Sequence, residues 1–176
     1  VGATWTNSNG VSTVSEGGST VFSNSGFKTG VVLTTGGNLS IGAEQRPAIG
    51  QYNQATGHKA DYAELFIYNK VLSSTESIIV NNYLSAKYDL TLNANDFFAH
   101  DASGFDFEVA GIGQVSSTDF HADAKGSGLF RMNSVSNLGN GEYLFWGHEN
   151  GDFTTWTTTE TPNGGANIQR LAREWR

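Results

Sequence analysis

At 176 residues the chain is long enough for one ordinary domain or two small ones, each with a modest core. Its formal net charge of −7, with no clustered Lys and Arg, excludes the counterion release on which nucleic-acid binding depends. With 0 cysteines, disulfides, thiolate zinc sites and cysteine nucleophiles are excluded together.

Glycine is abundant, at 22 residues against 2 prolines, which suits many short strands joined by glycine turns. No run approaches the ~18 apolar residues of a membrane span, so no membrane insertion is expected. The first residues lack the basic and apolar regions of a signal peptide, and any targeting signal is expected to lie outside this stretch.

In chain order, residues 11–14, 20–23, 27–34 and 39–43 are β-prone runs separated by "EGG", "SNSG" and "TTGGN" turn signals. After a loop around Pro47, residues 58–68 alternate. Ala63, Leu65 and Ile67 fall on one face and Tyr62, Glu64, Phe66 and Tyr68 on the other. Both faces are largely apolar, so an interior strand is expected over 58–69. A helix then begins at Ser73, where S-x-x-E with Glu76 forms a capping box. Ile79, Tyr83 and Ala86 or Lys87, widened by Ile78, Val80 and Leu84, predict the buried stripe of a surface helix lying on a sheet over 73–87.

"LSIGAEQ", a loop, and "ADYAELFIYNKVLSSTESIIVNNYLSAKYDL" resemble the C-terminal part of laminin-G-like, concanavalin A-like jelly rolls in large bacterial surface proteins. "FFAHDASGFDFEVAGIGQ", "NGEYLFWGHENG" and "IQRLAREWR" are similar to the β-rich module that follows such a jelly roll in adhesins and gliding-motility proteins. The fold class implied is mainly β: an antiparallel β-sandwich, an incomplete jelly roll, over 1–90 with one short surface helix, then a second β-rich module over 91–176. A complete jelly roll would need further residues before Val1, so the chain reads as part of a longer polypeptide whose remaining domains cover the open strand edges.

The charge is unevenly spread. Residues 91–166 carry ten acids against Lys125 and Arg131, while residues 1–50 balance. Within the acidic stretch, Asp101, Ser103 and Asp106 place oxygen donors at alternating positions around Gly104, with Asp96 or Glu108 as additions. Hard cations take such ligands, so calcium is the candidate cofactor, and an Asx turn satisfying its own backbone is the alternative. Aromatics beside Asn, Asp and Gly in "EYLFWGHENG" and "GDFTTWTTT" supply what a sugar site needs, a flat apolar platform with oriented hydrogen bonds. Alternation sends Tyr143 and Phe145 to one face and Leu144 and Trp146 to the other, so the candidate glycan contacts are Trp156 and Asn150.

No catalytic pattern is complete. Asp106-Phe107-Glu108 sets two acids on one strand face, yet Ala110 and Ile112 stand where the third acid of a laminarinase-type strand would be. "GIG" at residues 111–113 lacks the third glycine and helix of a dinucleotide loop and reads as a tight packing site in a strand. The expectation is a non-catalytic segment of an extracellular, cell-surface adhesin whose partner is a glycan or protein on a surface. The alternative is an accessory carbohydrate-binding domain of a secreted carbohydrate-active enzyme.

Overall fold

The computed structural model of the chain describes residues 1–31, 44–46, 51–53, 61–126, 129–150, 154–157 and 168–176. At the "EGG" turn, Gly17 and Gly18 both take positive φ, 53° and 83°, the conformation that a tight two-residue hairpin demands at both central positions. It joins β2 (Ser12–Glu16) to β3 (Ser19–Asn24), and β1 (Gly2–Trp5) pairs with the other edge of β2, giving an antiparallel sheet β1-β2-β3. Residues 27–31 do not continue as the expected strand. They turn, with Gly26 and Gly30 at positive φ bracketing them and Lys28 itself at 51°, and the Trp5 indole N–H donates to the Phe27 carbonyl at 3.0 Å. The rest of that expected strand, 32–34, and the run at 39–43 lie outside the described residues. Short β4 (Glu44–Arg46) and β5 (Gln51–Asn53) pair antiparallel.

The expected interior strand over 58–69 is not formed. Residues 58–60 are outside the described set, and 61–69 pair with no strand. Ile67 is 71% and Leu65 54% exposed. The alternation is real but serves a different contact: Phe66 meets the Tyr83 ring edge-on at 6.3 Å and Glu64 accepts from Lys87 and Tyr88. The segment therefore runs along a helix rather than within a sheet.

That helix, α1 (Ser74–Tyr88), starts as expected. Ser73 Oγ accepts from the Glu76 N–H, and Glu76 accepts from the Ser73 N–H. Asp89 ends it in a left-handed conformation, its N–H donating to Ser85. Its buried seam, however, is Thr75, Asn82, Ser85 and Ala86, largely polar, whereas Ile78, Ile79, Val80, Tyr83 and Leu84 are half-buried. Buried polar groups need partners, and these have them. The Asn82 amide donates to the carbonyls of Ile78 and Asn95, and its oxygen accepts from the N–H groups of Phe97 and Phe98. Thr75 Oγ1 donates to the Asp119 carbonyl and accepts from the Val115 N–H.

Beyond a 3-10 turn at Asp101–Ser103, the second half is built on β6 (Phe107–Ser116), flanked by β7 (Asp119–His121) and β10 (Glu142–His148) in the antiparallel order β10-β6-β7. The β8 (Ala124–Gly126) and β9 (Phe130–Met132) hairpin packs beside it, and β11 (Trp156–Thr157) pairs with β12 (Arg170–Leu171). The helix lies on a sheet, as expected, and the sheet is the one downstream of it. Phe98, Phe105, Val109 and Ala86 form the core, with Tyr83 and Phe145 against it. The fold is thus mainly β, with antiparallel sheets and one α-helix among the described residues.

The "VAGIG" pattern has a direct cause. Gly111 and Gly113 stand opposite Phe145 and Tyr143 in the ladder, and a Cβ would come within 2.5 Å and 2.1 Å of those rings. The stacked rings of Tyr143 and Phe145 lie over bare backbone, which only glycine provides.

Asn82→Asp should destabilise the fold by about 3 kcal/mol in urea unfolding, because it strips both amide donations and buries a carboxylate. The helix N-terminus gives a pH-dependent counterpart. The Asp119 carboxylate accepts from the Ser74 and Thr75 N–H groups at 3.0 and 3.2 Å. The Ser73 and Thr75 hydroxyls, with those amides, hold its carboxyl below the usual carboxylate range. A depressed folded value contributes stability that is complete above the unfolded value near ~4 and lost as pH falls through the folded one. Asp119→Ala should therefore cost about 1 kcal/mol at pH 7, with the difference from the parent shrinking as acid is added below about pH 4.

Candidate functional site

Between the exposed segment at residues 66–68, α1 and β6 lies an open groove of about 360 Å³. Phe66, Tyr68 and Tyr83 supply aromatic walls, Val109, Ala110 and Gly111 the floor, and His121, Asp123 and Lys125 a polar rim. Each wall is positioned by a local interaction. The Lys70 ammonium pairs with Glu76 at 2.6 Å, tying the end of the segment to the first turn of α1. Lys87 donates to Glu64 at 2.9 Å and to the Tyr83 hydroxyl at 2.8 Å, and lies 5.2 Å from the Tyr83 ring centre. Hydrogen bonds from Lys87, then from Tyr88, hold the Glu64 carboxyl below its ordinary range. The Tyr83 hydroxyl and Glu64 raise the Lys87 ammonium. On the rim, Arg131 grips both oxygens of Asp123, and it holds that carboxyl low. The rim therefore offers an ionised, oriented acceptor beside an exposed lysine and an imidazole.

The acidic loop is arranged as a turn. Asp101 and Ser103 lie in the 3-10 turn, with Gly104 left-handed at φ 82° and its N–H donating to the Asp101 carbonyl. One Asp101 oxygen accepts from the Ala102 N–H at 2.7 Å. Asp106 follows with Oδ1 buried and without a hydrogen-bond partner. Among the described residues no three His, Asp or Glu side chains converge as a metal-holding group. Trp156 is 58% exposed on β11, and Asn150 is exposed just past the end of β10. Tyr143 and Phe145 share a face: Phe145 packs on Phe98 in the core, and Tyr143 stacks on the exposed Phe97 ring. Trp146, on the other face, is 5% exposed beneath Phe130.

The groove itself is not apparent in the sequence pattern. Alternation at 62–68 looks the same whether a strand is covered by sheet neighbours or by one helix. The usable signal was charge spacing, since Glu64 and Lys70 match Lys87 and Glu76 on the helix. No family model, curated protein or solved structure matches the chain. No described helix is long and apolar enough to cross a membrane.

Tyr62, Leu65, Phe66, Ile67, Tyr68 and Val71 are all among the exposed large apolar residues, a density that marks interaction surfaces. Replacing Leu65 and Ile67 together with lysine should cut binding of a hydrophobic fluorescent dye severalfold. Because neither is buried, the unfolding free energy from urea titration should stay within about 0.5 kcal/mol of the parent.

Proposed function

We propose that the chain is a non-catalytic segment of a large extracellular bacterial adhesin, displayed at the cell surface, which takes a glycan in the groove between residues 66–68 and α1. The observation that carries the reading is the groove's composition. A pyranose offers C–H faces that stack on aromatic rings and hydroxyls that need donors and acceptors. Phe66, Tyr68 and Tyr83 answer the first need, and His121, Asp123 and Lys125 the second. Asp123 is held in place by Arg131 before any ligand arrives, which lowers the ordering cost of binding. The resemblance of the sequence at residues 60–90 to adhesin jelly rolls supports the cellular setting. Exposed Trp156 is a second stacking surface, and calcium at Asp101, Ser103 and Asp106 would brace the acidic loop.

Titration against a panel of soluble oligosaccharides, read by calorimetry or saturation-transfer NMR, tests this. Binding to at least one should weaken about tenfold in Tyr68→Ala, the loss expected of one stacked ring, and several-fold in Lys125→Ala. Absence of binding across the panel at millimolar sugar, or binding unmoved by both substitutions, overturns the assignment.

A further inference from the structure

The charges around the groove are unevenly satisfied. Glu64 pairs with Lys87, Glu76 with Lys70 and Asp123 with Arg131, so each of these carboxylates already has its cation. Asp119 on β7 takes the Ser74 and Thr75 amides, and Glu108 on β6 faces His148. Lys125 is left over. It lines the groove from β8, is exposed to solvent, and makes no hydrogen bond or ion pair among the described residues.

Its place in the ladder sharpens the point. Lys125 stands directly opposite Arg131 in the β8-β9 pairing, and like charges so placed repel. Arg131 is relieved by gripping both oxygens of Asp123, whereas Lys125 has no such partner. Residues 91–166 hold ten acids against only these two bases, yet none of the described acids is brought to this ammonium. A position that breaks a local rule without compensation is commonly a functional one.

The chemistry of the rim then narrows the sugar. A ring stacked on Phe66, Tyr68 or Tyr83 sends its substituents outward to the rim, where His121 and Lys125 stand. Hydroxyls can be met by any neutral donor, but a full positive charge is matched by an anion. In a uronic acid the carboxylate is attached directly to the ring, so a single sugar residue supplies both the stacking face and the charge. The chain's net charge of −7 opposes this only weakly, because exposed charges more than ~8 Å away are largely screened at physiological salt.

We propose that the groove is selective for acidic sugars, with Lys125 meeting the carboxylate of a uronic acid whose ring lies on the aromatic wall. The inference rests on the glycan reading above and deepens it.

The test is titration with oligogalacturonate, oligomannuronate and hyaluronan oligosaccharides, each beside its methyl ester, in which the same ring carries no charge. Neutral pH keeps the acids ionised, and a chelator prevents any divalent cation from bridging sugar and protein. At least one free acid should bind the parent about threefold more tightly than its ester, the gain expected of one exposed ion pair. In Lys125→Gln the acid and its ester should bind alike. Lys28→Gln removes the same charge from an exposed residue away from the groove lining and should keep the parent's preference. Equal binding of acid and ester to the parent, a preference that persists in Lys125→Gln, or one that is lost in Lys28→Gln overturns this inference and leaves the glycan reading standing. A neutral oligosaccharide that binds where no uronate does has the same consequence. Failure of every acid, ester and neutral sugar at millimolar concentration overturns both.

Discussion

The carboxamide of Asn82 is the point on which the arrangement of the helix and its sheet depends. It is 1% exposed, and it satisfies two carbonyls and two amide groups at once. Through it the chain at residues 95–98 is held against α1, which delivers Phe98 into the core beside Ala86 and Val109. At the start of the helix, Thr75 and Asp119 join the first turn to the β6-β7 hairpin. These contacts anchor the helix at its first turn and its middle. The groove then follows, because Glu64, Lys70 and Phe66 are placed by partners on α1 rather than by a strand neighbour.

The acidity of residues 91–166 looks collective in the sequence but is used individually in the structure. Asp119 takes helix amides, and Asp123 takes Arg131. Glu142 takes the Gly139 N–H at 2.6 Å, and Glu108 faces His148. Asp119, Asp123 and Glu142 thus each meet a local donor, and these charges are separated by the elements they anchor.

How far the sequence discloses this varies with the reach of each interaction. The capping box at Ser73 and Glu76, the hairpin at Gly17 and Gly18 and the tight packing at "GIG" are set by residues within a few positions or directly across a ladder, and they follow from the sequence. The polar seam of α1 does not. Hydrophobic periodicity assigns the buried face to Ile79 and Tyr83, whereas Asn82 and Thr75 are buried because backbone groups 13 to 44 positions away need them. The strand expected at 58–69 fails for a related reason: alternation describes two faces but not what covers them. Likewise, the oxygen donors of 101–106 are visible in the sequence, but the turn they form depends on Gly104 taking positive φ.

The spacing of these polar contacts along the chain also bears on time. Asn82 reaches partners 13 to 16 residues ahead, the Thr75–Asp119 contact closes 44, and the Asn93–Glu16 contact that ties the β1-β2-β3 sheet to the helix side closes 77. Ring-closure entropy grows as the logarithm of that span, so the second and third closures cost about 1 and about 1.5 kcal/mol more than the first. Short-range closures also tend to be the faster ones. The helix with its following turn can thus organise before the β6-β7 hairpin docks on it, and the N-terminal sheet is recruited last onto a surface already assembled.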